Sequence, residues 1–127
     1  MQHNPGFLTL VNEAKKRIRE VDIDGYKKML AAGRQHILVD TREDNEYQAG
    51  HVKRAEHMSR GTIERDIESK YPDKNATLVL YCGGGFRSAL VAESLQKMGY
   101  TNPISLDGGW RALKESGLEL EQEDRGR

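Results

Sequence analysis

The sequence predicts an α/β domain whose central, mostly parallel sheet is flanked by helices on both faces. Two observations carry that expectation. Three short runs, "HILVD" (36–40), "TLVLYC" (77–82) and "PISLD" (103–107), do not alternate apolar with polar residues, as expected of strands covered on both sides. Helical patterns stand between the runs, and parallel strands need crossovers of that kind.

The elements follow in chain order. In "FLTLVNEAKKRIREV" (7–21), Phe7, Val11, Ala14 and Ile18 recur at helical spacing with charges on the other faces, which predicts an amphipathic helix. "DIDGYKKMLAAG" offers Asp22 as N-cap, Ile23, Tyr26 and Leu30 on one side, and Gly33 as the stop. Helices are also expected at "DNEYQA" (44–49), "IERDIESKY" (63–71) and "RSALVAESLQKMG" (87–99), where Leu90, Val91, Leu95 and Met98 make a stripe closed by Gly99. We find no internal repeat or low-complexity linker. The chain therefore divides into an N-terminal helix packed on the domain (1–20), the domain itself (21–120) and a polar tail (121–127).

Composition removes several classes of function. The 20 basic and 20 acidic residues balance, so no global field draws the protein to nucleic acid or to an anionic membrane. The opening "MQHNPGFLTL" lacks a basic flank with a long apolar core, and no run approaches the ~18 apolar residues of a membrane span, so a cytoplasmic protein is expected. One cysteine excludes an internal disulfide, a Cys-x-x-Cys redox pair and a cysteine-rich zinc site. No metal-ligand spacing is visible, and neither a metal nor an organic cofactor is expected.

That cysteine, Cys82, ends an apolar run and is followed by Gly83, Gly84, Gly85, Phe86, Arg87 and Ser88. The helix after the loop aims its free N–H groups back at it, and three glycines permit the left-handed turns that gather amides into an anion-binding nest. A helix N-terminus together with Arg87 favours thiolate over thiol. A cysteine that only packs needs no such loop. The residues fit neither a P-loop nor G-x-G-x-x-G, and no histidine stands locally beside the thiol as a base. Two chemistries remain: attack on phosphorus, or attack on a sulfane sulfur with a persulfide as the carrier. The ring from Cys82 to Arg87 has six residues, one fewer than the phosphatase loop Cys-x5-Arg, and suits a sulfur atom better than a tetrahedral phosphate.

At this point the chain resembles the rhodanese family, specifically its single-domain sulfurtransferases. Three blocks carry the resemblance. "LVDTREDNEYQAGHVKRAEHM" is similar to the Asp-x-Arg, Glu-Tyr and Gly-His signature through Asp40, Arg42, Glu46, Tyr47, Gly50 and His51; "LVLYCGGGFRSA" is similar to the active-site loop; "GYTNPISLDGGWRALKESG" is similar to the C-terminal signature. The resemblance implies a three-layer rhodanese-like fold, a thiosulfate:acceptor sulfurtransferase and a Cys82 persulfide. It also implies a small-molecule sulfur donor and a thiophilic acceptor, cyanide, a thiol or a protein. The alternatives are a cysteine-dependent phosphatase or arsenate reductase, and a non-enzymatic persulfide carrier or sensor.

Two departures from the family pattern stand out. "VKRAEH" puts Lys53 and Arg54 where the family usually has an apolar residue, proline and glycine, and Gly83 stands where many members carry a basic residue. The substrate anion is then expected to meet backbone dipoles, Arg87 and a basic rim that includes Arg54. Asp40, at the end of a buried strand, is expected to accept hydrogen bonds from a nearby loop. Arg42 and Glu46 read equally as an exposed i,i+4 ion pair or as supports for the site. His51 reads as structural, and Trp110 as core or near-site packing.

Overall fold

The computed structural model describes residues 3–123. Helix α1 (Pro5–Lys15) starts on a proline and buries Val11 and Ala14. It stops earlier than the apolar spacing predicts, because Arg19–Val21 leave the helix as strand β1. That strand is only three residues long and lies on the sheet edge, so no alternation marks it; pairing its backbone satisfies groups that a longer helix would have satisfied internally. The expected boundary after residue 20 therefore falls inside a strand of the central sheet.

Asp22 caps α2 (Ile23–Ala31) by accepting the Gly25 N–H at 2.8 Å, and Gly33, at φ +68°, ends it. The chain continues through β2 (Ile37–Asp40), α3 (Asp44–Ala49), β3 (His51–Val52), β4 (Glu56–His57) and α4 (Ile63–Lys70). It then forms β5 (Leu78–Tyr81), α5 (Phe86–Lys97), β6 (Pro103–Leu106), α6 (Gly109–Leu113) and β7 (Leu120–Glu121).

The central sheet has the order β1-β6-β5-β2-β4, and each of its pairs is parallel. Alternate residues of β5 face opposite layers. Leu78 and Leu80 pack with Ile63 and Ile67 of α4 and Val91 and Leu95 of α5, whereas Val79 and Tyr81 pack with Tyr26 of α2 and Leu113 of α6. Each large side chain buried this way contributes about 1.5–3 kcal/mol. Helix α1 joins the α5 side, where Val11 and Ala14 meet Ala89 and Leu90.

Asp40 stands in register with Tyr81, so the loops after β2 and β5 leave the sheet at the same carboxyl edge. A separate antiparallel pair, β3 with β7, takes Glu121 out of the expected polar tail; residues 124–127 of that tail lie outside the described residues. Among the described residues, no helix is long and apolar enough to cross a membrane.

Candidate active site

Cys82 follows the last residue of β5, and its side chain turns back under the N-terminus of α5, leaving the residue 1% exposed. The N–H groups of Gly85 and Ser88 donate to Sγ at 3.2 and 3.3 Å. Ser88 Oγ lies 3.5 Å from Sγ and 2.8 Å from Ser105 Oγ, and all three residues are buried. The two amide N–H donors stabilise negative charge on sulfur.

Of the three loop glycines, one has the left-handed backbone expected for all of them. Gly85 has φ +100°, and a Cβ there would come within 3.2 Å of Asp107 Cα and the Gly108 nitrogen. At Gly83 and Gly84 an added Cβ would meet only arginine side chains, Arg87 Nη2 at 3.7 Å and Arg111 Nη1 at 3.9 Å. Those two glycines keep the floor of the loop open between two guanidinium groups. Phe86 turns away from the sulfur and packs against Phe7 of α1, with ring centroids 6.2 Å apart.

The loop is braced from behind by α6. Trp110 N–H donates to Cys82 O at 2.7 Å and Arg111 N–H to Gly83 O at 3.1 Å. Gly109 makes this contact possible: at φ +49° its missing Cβ would overlap Cys82 O and lie 2.9 Å from the Gly83 carbonyl carbon.

Asp40 and Arg42 occupy the neighbouring loop. Both are buried, and they form a bidentate pair: Arg42 donates from Nη2 to Oδ2 at 2.7 Å and from Nε to Oδ1 at 3.1 Å, while its backbone N–H reaches Oδ1 at 2.9 Å. Arg42 Nη2 also donates to Gly50 O at 2.6 Å, and the guanidinium lies 4.6 Å from the Trp110 ring. Burial works against its charge, but the hydrogen bonds and charge of Asp40 outweigh that, and the Arg42 pKa is raised. The exposed Arg42–Glu46 pair is therefore not formed, because Arg42 precedes α3 and points inward. Glu46 instead accepts the Glu43 N–H in a capping box and meets Arg87 Nη2 at 3.5 Å.

The structure does not bring Arg54 to this site. It lines a cavity with Leu30, His36, Ile37 and Thr77, at the amino edge where β2 and β5 begin, across the sheet from Cys82. The turn between the short strands β3 and β4 carries it there. Lys53 pairs with Glu119 at 3.0 Å. His51 is buried, with Nδ1 donating to Tyr47 O at 2.7 Å and its ring stacked on Tyr47. Asp107 has a half-exposed side chain 3.7 Å from Lys15.

Two residues at the site escaped the sequence reading. Ser105 had a signal, since it is the polar residue in an otherwise apolar buried strand. Arg111 had none, because nothing in "GGWRALKES" tells which face of α6 meets the loop.

A family model described as a rhodanese-like domain matches residues 22–116. The thiosulfate sulfurtransferase PspE of Escherichia coli (strain K12) is 36% identical over 70 residues, which cover 55% of this chain and 67% of PspE. A Staphylococcus aureus rhodanese-like domain protein superposes with TM-score 0.72 at 30% identity, covering 83% of this chain and all of that one (100%). A Rhodopseudomonas palustris CGA009 protein described as a "possible tyrosine phosphatase" superposes with TM-score 0.80 at 26% identity, covering 95% of this chain and 98% of that one.

Proposed function

The chain belongs to the rhodanese-like domain family, and from that premise we propose that it moves sulfane sulfur from thiosulfate or a persulfide donor to a thiophilic acceptor through a Cys82 persulfide. One observation carries the reading: Sγ accepts the Gly85 and Ser88 amides at 3.2 and 3.3 Å beneath a loop too short to ring a phosphate.

In the first step the Cys82 thiolate attacks the outer sulfur of thiosulfate. A bond forms between Sγ and that sulfur, the sulfur–sulfur bond of the donor breaks, and its electron pair leaves with sulfite. Atoms and charge balance, and the product is an anionic persulfide. The amides of residues 83–88 offer fixed dipoles to that anion, which needs no reorganisation during reaction. Arg87 adds a cation beside Gly83. In the second step cyanide or a thiolate takes the terminal sulfur and returns the thiolate. Asp40, Arg42 and Glu46 act through position: the first two hold the loop after β2 rigid, and Glu46 orients Arg87.

Intact-mass measurement tests this directly. Thiosulfate is expected to add one sulfur atom to the protein, cyanide to remove it, and Cys82→Ser to abolish both. Sulfur turnover by the serine variant at the parent rate would overturn the assignment. An aryl phosphate supplies the competing arm, because Cys82-dependent hydrolysis as fast as sulfur transfer would favour the phosphatase reading.

A further inference from the structure

We propose that Arg111 is a specificity residue that recognises the anionic group of the sulfur donor at the mouth of the Cys82 loop. This rests on the sulfurtransferase reading and names the class of donor. The loop's own cation stands on the Gly83 side, where Arg87 Nη2 meets Glu46 at 3.5 Å. On the other side Arg111 is exposed, and its Nη1 lies 3.9 Å from where a Cβ on Gly84 would stand. The ion pairs near the loop use Lys15, Arg42 and Arg87; Arg111 enters no ion pair formed among the described residues.

Its backbone is nevertheless held in place. The bonds from Trp110 N–H to Cys82 O and from Arg111 N–H to Gly83 O tie α6 to the loop at 2.7 and 3.1 Å, so the guanidinium starts from a fixed point relative to the sulfur. In front of it opens a cavity of about 490 Å³ lined by Gly84, Gly108, Arg111, Ala112, Lys114 and Glu115. Two cations against one carboxylate favour an anion in that space. A donor with its sulfane sulfur toward Sγ then places a sulfonate or carboxylate against a guanidinium, whose planar fork matches such oxygens.

The test uses three donors: thiosulfate, an alkyl persulfide bearing a carboxylate, and the same alkyl persulfide with a neutral group in place of the carboxylate. Arg111→Ala is expected to raise KM about tenfold or more for a donor that carries the sulfonate or carboxylate, the loss of one charge-assisted contact, with kcat nearly constant. The donor with the neutral group is expected to change less than twofold, and Arg111→Lys to recover part of the loss. A rise for thiosulfate and the carboxylate donor together supports recognition of either group, and a rise for one alone identifies which anion the residue reads. Equal losses for all three donors would overturn the proposal in favour of loop packing, and an unchanged KM for every donor would overturn it outright. If the parent protein takes up sulfur from none of the three, the sulfurtransferase reading falls and this inference with it; normal uptake with an indifferent Arg111→Ala variant sinks the inference alone.

Discussion

Arg42 is the residue on which burial changes the energetics most. A surface ion pair contributes about 0–1 kcal/mol, but Arg42 and Asp40 have been moved out of water, and each is tolerated only because the other is there. Arg42→Ala leaves the buried Asp40 carboxylate without its cation and is expected to cost about 3–5 kcal/mol in urea unfolding. A loss below about 0.5 kcal/mol would mean that the pair is solvated after all. The same residue shows why spacing left two readings open. Reading Arg42 and Glu46 as i,i+4 neighbours presupposes one helix through both, and α3 begins at Asp44.

At the scale of elements, the site depends on how closely α6 approaches the loop after β5. Gly109 permits that approach, since its backbone is left-handed and its Cβ position is occupied by the Cys82–Gly83 backbone. Gly109→Ala must therefore shift α6 or the loop, and we expect about 1–3 kcal/mol of destabilisation together with a loss of sulfur transfer. Gly99→Ala is the control. It has φ +100°, but an added Cβ there would meet only Lys74 Nζ at 3.9 Å, so it carries the backbone strain without touching the loop. Melting curves and rates measured on both variants separate the effects: comparable destabilisation is expected, with activity lost in Gly109→Ala alone. Activity retained by Gly109→Ala would show that α6 does not position the loop.

For the whole molecule, the buried phenols set how stability responds to alkali. Burial pushes Tyr26 up to about 12, against a weaker opposing effect of Arg54, and burial also raises Tyr81. A phenol whose folded pKa exceeds its unfolded value of about 10 binds more protons in the native state between those values. Its contribution is complete below pH ~10 and is lost as pH rises through the folded pKa. Stability is therefore expected to fall between pH ~10 and ~12, and Tyr26→Phe to make that fall shallower while costing about 1 kcal/mol at neutral pH through the lost 2.8 Å bond to His36. Denaturant midpoints at neutral pH and across the alkaline range measure both, and an identical alkaline slope in the variant would remove Tyr26 as a source.

What the sequence determined by itself was local. The three apolar runs became β2, β5 and β6; Asp22, Gly33 and Gly99 ended or capped helices; Cys82 and its loop stood at a strand's carboxyl end before a helix. Each follows from backbone and burial preferences over a few neighbouring residues, which a sequence displays directly. The tertiary structure decided what depends on chain crossings. It recruited Arg19–Val21 to the sheet edge, turned Arg42 inward onto Asp40, carried Arg54 to the opposite edge, and set Ser105 and Arg111 beside a loop far from them in sequence. A charged residue's spacing does not encode which side of a short turn it leaves from, and strands of two or three residues carry too little periodicity to fix that side before the sheet has formed.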